Sequence, residues 1–334
     1  MLPAVSVLLP VRNESRFLPA ALASLQRQTL TDWELVAVDD GSTDATSAIL
    51  AETARRDRRV RVLSRPPEGL VAALNAGLEA CRAPLVARMD GDDVCHPQRL
   101  ALQEKALRKN PALDLLACGV RHFPRPTLQE GMQYYERWLN GLLCHGEIAR
   151  DLYVESPFAH PSVLFRRKAV LATGGYRDLG WPEDYDLWLR MARHGARFGR
   201  LPQTLLYWRD RPERLTRTAP HCSPQAFRDC KVHHLKKYYL RGEAEVTLWG
   251  AGIEGKAWRK ALQAEGIKVD RWVEIDPRKI GQTIHGAPVV TPDALRPGSG
   301  KVLVTIGARG ARQQVRERAE GLGLKEGKDF VCVT

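Results

Sequence analysis

Acidic residues gathered where an apolar run stops are the first sign of chemistry in this chain. Residues 84–89 are mostly apolar and lead into Asp90-Gly91-Asp92-Asp93. Carboxylates two apart on a non-helical turn can point to one side, and hard oxygen ligands with room for water suit Mg2+ or Mn2+ bridging a diphosphate. Standing alone, such a triplet is better explained as a solvated turn whose aspartate caps the next helix, a role that suits Asp93. Two more acidic pairs follow the same pattern. Asp39-Asp40 ends the run 34–38, either as a ligand-facing strand end or as an Asx-turn, and the turn suits Asp40 better than Asp39. Glu183-Asp184 follows Gly180-Trp181-Pro182 and opens a helix, where acids also complement the helix dipole. Asp186, two positions on, faces elsewhere on such a helix.

The elements that must carry these residues alternate. Apolar runs at 5–9, 34–38, 60–63 and 84–89 read as buried strands, with helical spacing at 17–25, from 42 through 50 and at 70–81. This alternation predicts an α/β layer with a largely parallel sheet, in which ligands sit outside the carboxyl ends of the strands. Residues 10–14, 39–40 and 90–93 all fall at such ends, so one crevice should collect them. Helices are expected at 133–143 and 183–191, and a basic helix at 225–241. A second alternation begins with a strand at 245–249, a helix at 253–264 and a strand at 269–275. It continues with a strand at 301–306, a helix at 308–322 and a last strand from 330.

Between the strand at 245–249 and its helix lies Gly250-Ala251-Gly252-Ile253-Glu254-Gly255, and Asp276 stands near the end of the next strand. That is the context of a dinucleotide-binding turn, although the same glycines also serve tight strand-helix packing. Residues 250–256 match the P-loop spacing too, but Ala257 stands where Ser or Thr must hold Mg2+, which excludes a P-loop.

Composition narrows the partners. The 334 residues exceed one ordinary domain and suggest two. With 51 Lys and Arg against 39 Asp and Glu the net charge is +12, spread along the chain. Such a charge favours phosphorylated small molecules or an anionic membrane surface, and disfavours a nucleic-acid-binding tail. No run approaches the ~20 apolar residues of a membrane span. The first ten residues lack the basic flank of a signal peptide, so a cytoplasmic protein is expected. The basic helix at 225–241 is then either a solvated linker or a docking face on the inner membrane leaflet. Seven cysteines, odd in number and without a C-x-x-C pair, point to reduced, packed thiols.

Residues 5–14, 39–44, 74–77, 90–93 and 183–188 occur in the order, and at about the spacing, of family 2 glycosyltransferases of GT-A fold, which the first two thirds of the chain resembles. The resemblance implies a metal-dependent, inverting enzyme. It would move a sugar from a nucleotide-diphospho-sugar, with a UDP-sugar favoured, to a hydroxyl of a glycan or lipid-linked glycan. It assigns Mn2+ or Mg2+ to Asp92, with Asp90 beside it on the ribose or on a metal-bound water. Asp39 would receive the base, Pro10, Arg12, Asn13 and Glu14 would line the nucleoside pocket, and Asn75 would belong to the donor site. Asp184 becomes the base that deprotonates the acceptor, and Glu183 orients it or touches the sugar. Arg209 or Arg217 could clamp the diphosphate, His160 could touch the metal or the acceptor, and Tyr176 or Trp181 could stack on a sugar. For each of these a structural or surface role reads as well. The rivals are a nucleotidyltransferase, which needs a Gly-rich phosphate loop that residues 10–14 do not supply, and a catalytically inactive nucleotide-sugar-binding scaffold, against which intact Asp92 and Asp184 count.

The expected organisation is a GT-A domain over 1–224, a basic helical linker over 225–242 and a Rossmann-like accessory domain over 243–334. The last is similar to the nucleotide-sugar-binding domain at the N-terminus of bacterial sugar acyltransferases. Gly250, Gly252, Gly255 and Asp276 would face NAD, a nucleotide or a sugar there, or serve structure alone. This accessory domain is expected to fold by itself and to be dispensable for the chemistry.

Overall fold

A computed structural model describes residues 2–334. The described residues divide into two units: residues 2–149 with Pro157–Leu179 and Glu183–Thr218, and Arg150–Ser156 with Gly180–Pro182 and Ala219–Thr334. In the first unit β1 (Val5–Val11), β2 (Trp33–Asp40), β3 (Val60–Arg65) and β4 (Leu85–Arg88) alternate with α1 (Leu18–Gln26), α2 (Thr46–Arg56) and α3 (Leu70–Ala80). All seven residues of β1 are buried, which is why it reads as an apolar run and not as an alternating strand. Then come β5 (Val94–Cys95), α4 (Arg99–Lys109), β6 (Leu115–Phe123), α5 (Glu130–Gly141), α6 (His145–Arg150) and β7 (Val163–Arg166). The unit closes with α7 (Arg167–Ala172), α8 (Glu183–Arg193), β8 (Phe198–Arg209) and α9 (Leu215–Thr218).

Its sheet has the order β3-β2-β1-β4-β7-β6-β8-β5. Parallel pairing holds across β3-β2-β1-β4 and between β6 and β8. β7 runs antiparallel to β4 and β6, and β5 antiparallel to β8. The sheet is therefore mixed, and not largely parallel as the early alternation predicts, because β7 enters between β4 and β6 in the opposite direction to both and β5 pairs antiparallel with β8. Register sets the functional edge. Val11 stands beside Asp39 and Leu8 beside Arg88, so residues 12–14, 40 and 90–93 all leave the same end of the sheet.

Under that edge lies a buried charge. Arg99 on α4 is 1% exposed. It donates to the Arg88 carbonyl at 2.9 Å, to Gln103 Oε1 at 3.1 Å and to the Val163 carbonyl at 3.4 Å. One side chain thus ties the last residue of β4 to β7 and α4.

The second unit contains α10 (Pro224–Lys237), β9 (Glu245–Trp249), α11 (Ile253–Ala264), β10 (Lys268–Val273), β11 (Thr283–Ile284) and β12 (Ala287–Val290). β13 (Val302–Val304), α12 (Ala311–Gly321) and β14 (Phe330–Cys332) complete it. The order is β11-β12-β10-β9-β13-β14, parallel except for the β11-β12 pair. Gly255 is demanded by packing, since a Cβ there would lie 1.9 Å from the Gly250 carbonyl oxygen.

Helix α10 differs from the expected linker. Pro224 at its first turn and Ser223, whose side chain accepts from the Ala226 N–H, start it. Val232 and Leu235 then join Leu248, Trp258 and Trp272 in the core of this unit. Three of its basic residues are engaged: Lys231 on the carbonyls of Val154 and Val333, Arg228 on Glu254 and Lys236 on Glu265. No helix among the described residues is long and apolar enough to cross a membrane. The seven cysteines are free, and five of them are buried.

Replacing Arg99 by Met fills much of the same space but leaves the Arg88 carbonyl and the Gln103 oxygen without their donor. The expected loss is about 2–4 kcal/mol, read as a lower urea midpoint at an unchanged slope.

Candidate active site

The turn after β4 sits hard against β1. A Cβ on Gly91 would stand 2.8 Å from Val11 Cγ1 and 3.3 Å from Glu14 Cγ, so glycine is what lets Asp90 and Asp92 flank this contact. Asp90, Asp92 and Asp93 each bring a carboxylate oxygen within 4.8 Å of the others. Asp93 is fully buried, and one of its oxygens accepts from the Arg209 N–H at 2.8 Å. Its other oxygen has no partner, and neither has Glu14 Oε2. Asp93 is thus not the helix cap expected of it; α4 begins six residues later, at Arg99. Arg88 pairs with Asp90, while Arg211 pairs with Glu14 and, at 2.9 Å, with Asp92.

Crowding shows in the acidities. Burial, then the Asp90 charge, raise Asp92 above the ordinary aspartate range, and burial with both neighbours raises Asp93 further. Burial pushes Glu14 up to about 7 against the opposing pull of Arg211. Asp90 goes the other way, because Arg88 outweighs the effect of burial and holds it below its ordinary value. Buried carboxylate oxygens without partners, set beside Asp92, form a donor set that fits a hard divalent cation.

The loop after β1 is fastened to the loop after β2. Asn13, at φ 56°, donates its N–H to Ser42 Oγ at 3.0 Å and accepts from the Thr43 N–H at 2.8 Å. The Glu14 N–H donates to Thr46 Oγ1 at 2.8 Å. Asp39 accepts from the Ser42 N–H at 3.0 Å and from Ser47 Oγ, so the Asx-type turn belongs to Asp39, contrary to the expectation for Asp40. Asp40 instead accepts from the N–H groups of Glu68 and Gly69 ahead of α3, with Arg12 Nη1 3.9 Å away. Pro10 is buried within β1.

Three residues expected at the donor site have protein partners. Asn75 donates to the Tyr176 carbonyl and accepts from the Tyr176 N–H, both at 2.9 Å, and so fixes that turn. Arg209 donates to the Asp92 carbonyl at 2.7 Å, its guanidinium 4.4 Å from the rings of both Phe17 and Phe123. Arg217 makes two 2.8 Å bonds to Asp210. Among the arginines around residue 210, the guanidinium that reaches the carboxylates of Glu14 and Asp92 is that of Arg211, for which the sequence carries no signal.

Glu183 and Asp184 open α8. His160 Nδ1 lies 3.6 Å from Glu183, and its Nε2 is 3.0 Å from the Tyr176 hydroxyl. His160 and Tyr176 are both buried, which gives them the structural reading. Burial raises Glu183, but His160 reverses that and leaves it below its ordinary value. Asp184 is half-buried and accepts from the Tyr185 N–H at 2.7 Å. Burial and the Glu183 charge push it up to about 8. Adjacent carboxyls with acidities driven apart are suited to different tasks. Asp186 turns away to Arg190, at 2.7 Å. Arg88 acts electrostatically on Asp90, Glu183 and Asp184 together, another residue the sequence reading did not single out.

In the second unit the Ala251 N–H of the glycine turn donates to Glu274 Oε1 at 2.9 Å, and Lys279 Nζ is 2.9 Å from the same oxygen. Asp276 closes a local turn on Arg278. The acid beside the glycines is therefore Glu274, and not Asp276 as the strand-end spacing suggests.

The mixed sheet with carboxylates at its strand ends is of GT-A type, and a second α/β sheet follows it. Residues 6–174 match glycosyl transferase family 2, and the chain belongs to that family. It is similar to the amylovoran biosynthesis glycosyltransferase AmsE of Erwinia amylovora, with 34% identity over 204 residues, 60% of this chain and 74% of that one. The structure of S. aureus TarS 1-349 with UDP-GlcNAc aligns at TM-score 0.58 and 18% identity, over 80% of this chain and 82% of that one. The mannosyltransferase PcManGT from Pyrobaculum calidifontis, in complex with GDP-Man and Mn2+, aligns at TM-score 0.52 and 20% identity, over 80% and 70% of the two chains. The chain is a nucleotide-sugar glycosyltransferase, which sets the nucleotidyltransferase reading aside.

A raised carboxyl makes a stability prediction. Asp184 prefers its proton in the folded chain and loses it near pH 4 when unfolded, so its ionisation costs stability as pH rises from about 4 to about 8. Asp184→Asn removes that cost. Its melting temperature should exceed the parent's by an amount that grows over this window and levels above it, as thermal melts at several pH values would show.

Proposed function

We propose that this chain transfers a sugar, with inversion, from a UDP-sugar to a hydroxyl of a glycan or lipid-linked glycan at the cytoplasmic side. The observation that carries the reading is that the carboxylate cluster after β4 and the acid pair opening α8 share the field of one buried guanidinium, Arg88. Donor and acceptor chemistry then belong to one site. Asp92, with Asp90 and the orphaned oxygen of Asp93, would hold Mn2+ or Mg2+. Bound there, such an ion supplies neutralising charge for the departing diphosphate. TarS with UDP-GlcNAc and PcManGT with Mn2+ support the donor class and the metal.

The chain's own groups do the rest. Asp39 keeps a lone pair for the N3–H of a uracil while bonded to Ser42 and Ser47. Residues 10–14 wall the nucleoside, and Arg211 faces the diphosphate, with Arg209 holding the Asp92 loop. Asp184 takes the proton of the acceptor hydroxyl as its oxygen bonds to the anomeric carbon from the face opposite the diphosphate. The electron pair of the broken glycosyl bond leaves with UDP. Glu183, fixed by His160, keeps its charge beside Asp184 and raises the basicity of that carboxylate.

For the second unit a structural role is favoured over NAD or a nucleotide, because the Ala251 N–H is already bonded to Glu274 and Gly255 is required by packing. Membrane docking through α10 gains no support from side chains that are bonded within their own unit.

Asp92→Asn deletes one ligand charge at a largely buried turn after β4 and leaves the apolar core alone. Its affinity for UDP in the presence of Mn2+ should fall at least about 10-fold, with an unchanged circular dichroism spectrum. Calorimetric titration of Mn2+ and UDP measures this, and parental affinity would remove Asp92 from the metal site.

Asp184→Asn should retain that affinity while turnover falls on the order of 100-fold or more. In the parent, kcat/KM should rise with pH, reach about half its plateau near pH 8, where Asp184 is half ionised, and level only above about pH 9. A flat profile between pH 6 and 9 would count against Asp184 as the base.

A further inference from the structure

The second unit is not a contiguous C-terminal module. It includes two short segments, Arg150–Ser156 and Gly180–Pro182, that interrupt the first unit's stretch of chain. Buried polar contacts hold the longer one. Asp151 accepts from Arg316 at 2.6 Å, and the same guanidinium makes two 2.9 Å bonds to Glu326. Lys231 on α10 donates to the carbonyls of Val154 at 2.7 Å and Val333 at 3.2 Å. In the shorter segment Trp181 packs on His233 of α10, ring centroids 5.1 Å apart and planes at 46°. Beyond each segment the chain soon reaches the acid pair or its support. Residues 150–156 run on to His160, the partner of Glu183, and residues 180–182 run directly into Glu183 and Asp184.

We propose that the contact of Trp181 with His233 is a positioning contact for the general base, and that bracing these segments is a function of the second unit. The proposal rests on the reading of Asp184 as that base. Asp184 sits in the first turn of α8, where helices fray, and its carboxylate accepts from the neighbouring Tyr185 N–H. The direction of its carboxylate is therefore set by how the chain arrives through Gly180, Trp181 and Pro182. Gly180 has φ +80° and open space around it, so the tripeptide needs an anchor, and Trp181 is its large side chain. A misplacement of about 1 Å at a catalytic group can cost on the order of 100-fold in rate. Trp181 and His233 act through Asp184 and do not touch the reacting atoms.

The test uses the full-length chain with Mn2+ and whichever of UDP-Glc, UDP-Gal and UDP-GlcNAc raises its melting temperature most, with release of the free sugar as the readout. Trp181→Ala and His233→Ala should each lower kcat about 10-fold or more, while donor KM and calorimetric UDP affinity stay at the parental values. Trp181→Phe should restore most of the rate. The double variant should be no worse than Trp181→Ala, because both changes remove one contact. His233→Ala, the milder change, keeps the test valid should Trp181→Ala unfold. Parental kcat in His233→Ala and in a folded Trp181→Ala, with Asp184→Asn inactive, overturns the positioning contact alone. So does a loss seen in donor KM, or losses that multiply in the double variant. Full turnover in Asp184→Asn overturns the base assignment, and the proposal with it.

Discussion

Arg88 is the interaction on which the rest of the first unit turns. It is 3% exposed, on a strand that is otherwise apolar, and its charge is answered by Asp90. Removing a guanidinium from water costs several kcal/mol, and pairing with a carboxylate offsets that only when the geometry is fixed. Fixing comes from below, where Arg99 donates to the Arg88 carbonyl and so locks the end of β4. Two buried arginines thus act in series, one holding backbone and the other holding charge. Without them, Asp90, Asp92, Asp93 and Glu14 would be a concentration of like charge with no reason to stay folded together. The weakened acidities of Asp92, Asp93 and Glu14 come first from burial and then from repulsion by their neighbours, which Arg211 offsets only in part at Glu14 and Asp92.

Much of the first sheet is legible because β1 and β4 are buried along their whole length, and burial leaves a run of apolar letters. β8 is exposed through its middle and carries Pro202, Gln203 and Thr204 there, so it offers no such run. Asp39 and Asp40 show a subtler limit. Adjacent strand residues point to opposite faces, and which of the two meets the Ser42 N–H depends on which helix covers which face. Arg88 did leave a signal, a single charge inside an apolar strand, and a buried charge must be paired. Arg211 left none. It stands among Arg209, Arg214 and Arg217, and only the fold tells which of these reaches Glu14 and Asp92.

In the second unit, α10 looked solvated because its letters are basic. Lys231 finds its acceptors 77 and 102 residues away in the chain, at Val154 and Val333. Partners so distant have no spacing to betray them. The glycine pattern after β9 had a legible geometric cause in the contact between Gly255 and Gly250. That cause is strand-helix packing, which any tight turn of this kind requires whether or not it meets a phosphate.

The capture of residues 150–156 also imposes an order in time. Asp151 and Arg316 are 165 residues apart, and at roughly 5–20 residues per second a ribosome needs about 8–33 s to add that much chain. Through that interval the nascent protein can already have completed β1 to β4. The stretch leading to His160 still waits for its clasp. Arg209 and Arg211, which hold the acidic turn after β4, are themselves added only after Glu183 and Asp184, so both groups of carboxylates reach their final partners late in synthesis.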